Sequence, residues 1–195
     1  MSAIPSKADL RATALAAREK LSEKQRANAA KALAKHGLPV EITQGLQGLI
    51  VSGYSPIRSE IDPAPLMEKL AKQGARLALP TVNARGKSLI FRSYTPGDRL
   101  TMGMLGIPEP SPAAAEVVPD IMLVPLAAFD EAGHRIGYGA GYYDYTFTHL
   151  RKHKAIIGVG LAFAAQEIEA IPALSHDVPL DYVLTEKRVF GFRSG

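Results

Sequence analysis

Residues 133–144 read GHRIGYGAGYYD, and this is the most informative stretch of the 195-residue chain. Glycines at the alternate positions 137, 139 and 141 allow positive φ angles and let the backbone approach a ligand closely. Backbone N–H groups that converge on one concavity bind anions, and a helix that begins just beyond them adds positive partial charge. Because an apolar run precedes the stretch, we predict a strand, a phosphate-binding loop and a helix, in that order.

The charged residues of the stretch support the same interpretation. Arg135 offers a planar fork of N–H groups that matches phosphate oxygens, and Asp144 is a carboxylate of the kind that holds a cation accompanying a phosphate. No Gly-Lys-Ser/Thr follows, so this is not a Walker loop, and the alternate glycine spacing differs from the dinucleotide-binding fingerprint. A glycine-rich turn that binds nothing is the alternative, and Arg135, Asp144 and the paired tyrosines favour a phosphate site over it.

Composition limits the function classes. The length suits one domain over residues 1–195, and the hydrophobic and charged fractions of 47% and 22% are those of an ordinary globular protein. The chain has no cysteine, which excludes disulfides, thiolate nucleophiles and zinc–thiolate sites. A net charge of +4 without a run of Lys or Arg gives no nucleic-acid signature.

The N-terminal segment is charged and has no signal-peptide core, and the longest apolar runs, at 121–129 and 155–165, are too short to span a bilayer. We therefore expect a cytoplasmic, monomeric protein that binds small molecules and neither nucleic acid nor membrane.

Hydrophobic periodicity predicts alternating helices and strands. Predicted helices cover residues 6–20, a segment opened by the capping pattern at Ser22 and ended by Gly37, a segment from Pro63 to near Gly74, and 141–152. Predicted strands cover 46–54, 76–80, 88–94, 120–127, 155–161, 182–184 and 188–190, with a long loop at 96–119. This order predicts an α/β fold: a three-layer, largely parallel Rossmann-like sheet with helices on both faces and an N-terminal helical extension. In such sheets ligands bind beyond the carboxyl ends of the strands.

Six segments in order resemble those of one family. They are KADLR at 7–11, SEIDP at 59–63, GIPEP at 106–110, VPLAAFD at 124–130, the stretch at 133–144, and HDVPLD at 176–181. Together they resemble the 5-formyltetrahydrofolate cyclo-ligase family, also called methenyltetrahydrofolate synthetase, over nearly the whole chain.

The resemblance implies an enzyme of folate and one-carbon metabolism. Its reaction would convert 5-formyltetrahydrofolate and MgATP into 5,10-methenyltetrahydrofolate, ADP and phosphate, through phosphorylation of the formyl oxygen and ring closure by N10. Such a phosphoryl transfer requires positioning and charge stabilisation rather than a nucleophilic side chain. The lack of cysteine agrees with this expectation.

The resemblance also implies residue roles. Arg135 would be the catalytic contact to the transferring phosphoryl group, Glu60 would accept N–H groups of the pterin, and Asp144 and Asp181 would bind Mg²⁺. The implied ATP-binding residues are Lys7, Arg11, Arg135, Ile136, Gly137, Tyr138, Gly139, Ala140, Gly141, Tyr142, Tyr143 and Asp144. The implied substrate-binding residues are Ser55, Glu60, Tyr142 and Tyr143.

Structural alternatives stay open for several of these residues. Lys7 and Arg11, four positions apart, could form a solvated basic face, while Glu60 and Asp144 could serve only to stabilise helix starts. His176 and Asp177 are interpreted as a structural turn pair. Met102 and Met104, in the loop at 96–119, could cover the folate, but a packing role is the favoured interpretation.

The chain departs from the family pattern at two positions. Many members have lysine where this chain has Ala140, and arginine where it has Tyr145. A charge-assisted hydrogen bond contributes about 1.5–3 kcal/mol, so one lost phosphate contact would weaken the step roughly ten- to hundredfold. The alternatives to the cyclo-ligase are a non-catalytic folate-, nucleotide- or RNA-binding protein on the same fold, and another enzyme of this architecture such as a sugar-phosphate isomerase.

Overall fold

The computed structural model describes residues 5–172, 174 and 177–192. Within them, helices and strands alternate along most of the chain. In chain order the elements are α1 (Lys7–Glu19), α2 (Glu23–His36), α3 (Val40–Thr43), β1 (Ile50–Ser52), α4 (Ala64–Lys72), β2 (Arg76–Thr81), β3 (Ile90–Tyr94), β4 (Thr101–Met102), β5 (Pro108–Glu109), β6 (Glu116–Val117), β7 (Ile121–Pro125), β8 (Ala128–Phe129), β9 (Arg135–Ile136), α5 (Tyr142–Leu150), β10 (Ile157–Leu161), a 3₁₀ helix (Ala164–Gln166), β11 (Tyr182–Leu184) and β12 (Val189–Gly191).

Local sequence signals set the ends of the first two helices. Ser6 and Ser22 each form a reciprocal capping box with the residue three positions later, which satisfies backbone N–H groups at the helix start. Gly37 ends α2 at a φ of 75°, a conformation that glycine adopts without strain. These predicted boundaries are confirmed.

Eight strands form one sheet in the order β12-β11-β10-β7-β1-β2-β3-β6. The five strands from β11 to β2 run parallel, whereas β12, β3 and β6 are each antiparallel to their inner neighbour. The prediction of a largely parallel α/β sheet is therefore confirmed.

Strand β7 lies inside the sheet and is buried on both faces. Ile121 and Leu123 pack into the apolar cluster formed with α2 and α4. Met122 and Val124 point to the other face and pack with Phe147 of α5. This is why β7 reads as a continuous apolar run, and it gives the three layers that were predicted.

Helix α1 is the N-terminal extension. Its buried Ala14 packs with Ala127, Ala128 and Ile136, which belong to or adjoin the hairpin formed by β8 and β9. Small side chains on both surfaces permit this close approach, and it brings α1 beside the glycine-rich loop that follows β9.

The order of the strands creates a crevice at the carboxyl ends of β1 and β7. From β1 the chain passes through α4 to β2, and from β7 it passes through α5 to β10 on the opposite side. Since β1 and β7 are neighbours, the chain leaves their carboxyl ends in opposite directions. The crevice between these two connections is the usual ligand position in such sheets.

Three details differ from the sequence predictions. The strand predicted at 46–54 is only Ile50–Ser52, and the predicted long loop contains the short strands β4, β5 and β6. The strand predicted at 120–127 ends at Pro125, and the hairpin β8–β9 lies between it and the glycine-rich loop. Among the described helices none has the length and apolar character needed to cross a bilayer.

Candidate active site

A cavity of about 1070 Å³ opens at the carboxyl ends of β1, β2 and β7. Ligand pockets for one small molecule are typically about 300–1,000 Å³, so this cavity is large enough for two substrates. All but one of the predicted site residues line it. These are Lys7, Arg11, Ser55, Glu60, Arg135, Ile136, Gly137, Tyr138, Gly139, Ala140, Gly141, Tyr142, Tyr143 and Asp144.

The glycine-rich loop has the backbone geometry that its sequence predicts at two of three positions. Gly139 and Gly141 have φ angles of 96° and 68°, whereas Gly137 has no positive φ. Gly141 is the N-cap of α5, and no side chain caps that helix start. The first backbone N–H groups of α5 therefore lack an intrahelical partner and carry positive partial charge toward the cavity wall.

Helix α1 presents a basic face to this loop. Lys7, Arg11 and Arg18 recur at spacings of four and seven residues, so they lie on one side of the helix. Arg11 Nε donates to Gly137 O at 2.7 Å, and Lys7 forms an ion pair with Asp177. The side chains of this basic face therefore form contacts at the cavity and are not simply solvated.

Arg135 and Asp144 form an ion pair across the cavity wall. Arg135 Nη2 donates to Asp144 Oδ1 at 2.7 Å, and the Val178 N–H donates to the same oxygen at 3.2 Å. The Arg135 side chain is only 6% exposed, and burial lowers its pKa, which Asp144 partly counteracts. The two residues predicted to bind the phosphoryl group and its cation therefore lie together.

Glu60 is a buried carboxyl group that lines the same cavity. Its Oε2 accepts a hydrogen bond from the Ile57 N–H at 2.8 Å. Burial raises the pKa of Glu60 to about 7, and the Ile57 N–H and Arg18 limit the rise by favouring the charged form. Glu60 therefore titrates near neutral pH.

Aromatic residues surround Glu60. Burial raises the pKa of both Tyr54 and Tyr143, and the nearby Glu60 charge adds to each rise. The Tyr54 hydroxyl donates to Ile61 O at 2.7 Å, while Ser55 Oγ donates to Pro108 O at 2.6 Å. The Ser55 contact ties the segment after β1 to the predicted long loop at 96–119.

Sequence reasoning missed Arg18. This residue is 1% exposed, its Nε donates to Ser59 Oγ at 3.0 Å, and its Nη2 donates to the Tyr138 hydroxyl. The signal that could have found it is its position on the same helical face as Lys7 and Arg11.

Asp181 does not join Asp144, so the predicted magnesium pair requires correction. Asp181 Oδ2 accepts from the Gly158 N–H at 2.7 Å and from Arg151 Nη2 at 2.8 Å. Arg151 lies at the end of α5, seven residues after Asp144. At 1.5 Å per residue, the two are about 10 Å apart along the helix axis. Asp181 does not line the cavity, because it anchors the first residues of β10.

The described residues contain no group of three or more His, Asp or Glu side chains that could hold a metal ion. Two carboxylates, Asp144 and Asp177, line the cavity near Arg135. So small a set of donors suits a cation that arrives with phosphate and water ligands better than one held by the protein alone.

Two further predictions concern Met102 and Met104, and the turn pair of His176 and Asp177. Met102 and Met104 are 71% and 57% exposed, so their interpretation as packing residues is wrong. Asp177 Oδ2 accepts from the Leu174 N–H at 2.6 Å in a turn and also binds Lys7. His176, the other member of the predicted turn pair, lies outside the described residues.

Comparison with known proteins gives a consistent result. The 5-formyltetrahydrofolate cyclo-ligase of Escherichia coli K12 is 37% identical over 145 residues, which are 72% of this chain and 79% of the relative. The enzyme of the same name from Mycolicibacterium smegmatis is 35% identical over 191 residues, or 94% and 95% of the two chains. The NMR structure of Aquifex aeolicus 5,10-methenyltetrahydrofolate synthetase superimposes with a TM-score of 0.77 at 32% identity, covering 97% of this chain and 94% of that one.

The model of the 5-formyltetrahydrofolate cyclo-ligase family matches residues 3–186. This range contains every segment that suggested the resemblance and every predicted residue of the cavity. With relatives that agree along nearly the whole length and a solved structure of the same fold, the chain belongs to the 5-formyltetrahydrofolate cyclo-ligase family.

Proposed function

We propose that this protein converts 5-formyltetrahydrofolate and MgATP into 5,10-methenyltetrahydrofolate, ADP and phosphate. The observation that carries the proposal is one cavity lined by two chemically different groups of residues. One group contains a buried carboxyl group and tyrosines, and the other contains the glycine-rich loop, a helix start and basic side chains. A ring with adjacent N–H groups suits the first group, and a chain of phosphates suits the second.

Glu60 binds the pterin in this proposal. A carboxylate can accept two adjacent N–H groups in parallel, which fixes both the position and the direction of the ring. Tyr142 and Tyr143 also line the cavity and flank the ring or its aminobenzoyl extension. Ser55 lines the same part of the wall.

The glycine-rich loop binds the phosphates of ATP. The backbone at Gly139 and Gly141, the start of α5, and the cations Lys7, Arg11 and Arg135 supply N–H donors and positive charge. Arg135 is the group best placed to stabilise charge on the transferring phosphoryl group, since it is buried beside the loop.

Magnesium enters as part of the MgATP substrate. Mg²⁺ favours six oxygen ligands and commonly takes most of them from phosphates and waters. Asp144 is the carboxylate that would approach it, and Asp181 has a structural role instead.

The chemistry places few demands on side chains. The formyl oxygen attacks the γ-phosphorus as ADP leaves, and this converts a poor leaving group into phosphate. N10 then attacks the formyl carbon, the C–O bond breaks with departure of phosphate, and N10 loses its proton. Charge stabilisation and alignment are sufficient for both steps, without a covalent enzyme intermediate.

The test is an assay of the pure protein with 5-formyltetrahydrofolate, ATP and Mg²⁺, followed by the near-ultraviolet absorbance of the methenyl product. We expect an increase that requires all three components. A folded sample that binds folate but gives no product would favour the non-catalytic alternative. A cytoplasmic location, a monomeric state and the lack of nucleic-acid or membrane partners stay predictions.

A further inference from the structure

Arg18 is a buried cation to which the proposed reaction gives no direct role. Its side chain comes from α1, is 1% exposed and reaches Ser59 Oγ at 3.0 Å and the Tyr138 hydroxyl. A guanidinium removed from water is unfavourable unless its charge and its donors are compensated. The identity of its partners therefore matters.

Those partners belong to two segments that line or adjoin the cavity. Tyr138 lies in the glycine-rich loop, while Ser59 immediately precedes Glu60. Both Arg18 and Tyr138 favour the charged form of Glu60 and so limit the rise of its pKa. Arg18 thus bridges the glycine-rich loop, through its hydrogen bond to Tyr138, and the segment that carries Glu60, through its hydrogen bond to Ser59.

Further contacts restrict this bridge. The Arg18 guanidinium lies 5.6 Å from the centre of the Tyr138 ring, and that of Arg58 lies 5.8 Å from it. Arg58 is the one non-glycine among the described residues with a positive φ, at 53°. Because Arg11 also donates to Gly137 O, two side chains of α1 contact the glycine-rich loop, and a shift of the loop must move these side chains or break their contacts.

We propose that Arg18 is a positioning residue that couples the glycine-rich loop to Glu60 through Tyr138 and Ser59, so that a nucleotide on the loop strengthens folate binding at Glu60. This inference rests on the proposed function, which assigns the two substrates to these residues. Coupling between two sites is reciprocal, so folate strengthens nucleotide binding by the same factor.

The test is calorimetric titration of 5-formyltetrahydrofolate into the full chain, with and without a non-hydrolysable ATP analogue and Mg²⁺. We expect the analogue to tighten folate binding by about tenfold, within the usual range for coupled sites. In Arg18→Lys the charge stays, but an ammonium group cannot reproduce the planar fork. The ratio of the folate dissociation constants measured without and with the analogue should therefore fall toward one.

Two variants sharpen this test. Tyr138→Phe keeps the ring and removes only the hydroxyl, so it should lower the ratio even where Arg18→Lys folds poorly. The double variant should lose little more than either single variant, because both changes break the same Arg18–Tyr138 hydrogen bond. Arg92→Lys is the matched control, since that guanidinium binds the Pro112 and Ala114 carbonyl oxygens outside the cavity and should leave the ratio unchanged.

A wild-type ratio of one, or a full ratio in both single variants, would overturn the coupling. If methenyl product still forms in either case, the proposed function stands without it. Failure of the wild type to form product would instead overturn the proposed function.

Discussion

Arg135 and Asp144 are bound to each other, with 2.7 Å between Arg135 Nη2 and Asp144 Oδ1. One residue precedes the glycine-rich loop and the other lies in the first turn of α5, so the ion pair closes the loop at its base. Each was expected to act on a different part of MgATP. The two side chains that hold the glycine-rich loop in position are therefore the same ones that are proposed to bind MgATP.

Asp144→Asn removes the negative charge of Asp144 but keeps its hydrogen-bond acceptor. The amide oxygen can still accept from Arg135 and from the Val178 N–H, but the negative charge near the cation is lost. We expect kcat to fall by about a hundredfold, as for other lost electrostatic contacts at a reacting centre, with folate affinity nearly unchanged. Steady-state kinetics and calorimetry measure the two quantities.

Asp144→Ala is the comparison for this variant. It leaves the buried Arg135 without its partner, which typically destabilises a protein by about 3–5 kcal/mol, so its melting temperature should fall clearly below that of Asp144→Asn. An equal loss of melting temperature and folate binding in Asp144→Asn would show that the residue is structural.

Folate binding should depend on the ionisation of Glu60. The pKa of Glu60 is raised to about 7 by burial, and only the carboxylate can accept two pterin N–H groups. Affinity of the wild type should therefore increase from pH 6 to pH 8. Glu60→Gln should bind folate about tenfold more weakly at pH 8, as expected for one lost charge-assisted hydrogen bond, and without this pH dependence. The same pH slope in both proteins would contradict the assignment.

The same raised pKa predicts an effect on stability. Between the ordinary value of 4.5 and about 7, the folded protein keeps the Glu60 proton more tightly than the unfolded chain does. The resulting stabilisation is fully present below pH 4.5 and is lost as the pH rises to 7, with a limit of about 3 kcal/mol. Glu60→Gln has no proton to lose at this position, so it does not lose stability in this way. Its urea midpoint should therefore rise relative to that of the wild type between pH 4.5 and pH 8. A constant difference would contradict the prediction.

Two alanine substitutions separate backbone strain from ligand approach in the glycine-rich loop. Gly139 has a φ of 96°, so Gly139→Ala should lower the free energy of unfolding by about 1–2 kcal/mol. Gly137 has no positive φ and no heavy atom within 4 Å of an added Cβ, so Gly137→Ala should unfold like wild type. If phosphates approach the loop closely, Gly137→Ala should nevertheless raise KM for ATP. An unchanged KM would place the phosphates elsewhere.

The sequence predicted what local patterns determine. The predicted capping box at Ser22 depends on four consecutive residues, and the apolar run of β7 follows from burial on both faces. Nearly all of the predicted cavity residues also meet in space. The hairpin of β8 and β9 was missed because Ala128 must pair with Ile136 across an intervening turn. Helical spacing puts Arg18 on the face of Lys7 and Arg11, but its burial and the partners of Asp181 depend on tertiary contacts with distant segments, which periodicity does not reveal.

Asp181→Ala tests the correction to the magnesium prediction. The substitution removes the acceptor for the Gly158 N–H and Arg151, so the free energy of unfolding should fall by about 1–3 kcal/mol, the usual effect of leaving a buried donor unsatisfied. The Mg²⁺ concentration for half-maximal rate should stay at the wild-type value. A large increase in that concentration, with normal unfolding, would restore Asp181 as a metal ligand.

Ala140→Lys tests the departure from the family pattern. Ala140 is exposed, lines the cavity and lies between the two glycines with positive φ, so a lysine there can reach a bound phosphate without displacing the core. We expect KM for ATP to fall by about tenfold, which corresponds to one charge-assisted hydrogen bond, and folate affinity to stay constant. The gain should shrink at high salt, because the added charge is exposed and screened. Ala140→Met is the control for side-chain length and should leave KM for ATP unchanged. An equal gain in the methionine variant would mean that packing, and not phosphate binding, is limiting at this position.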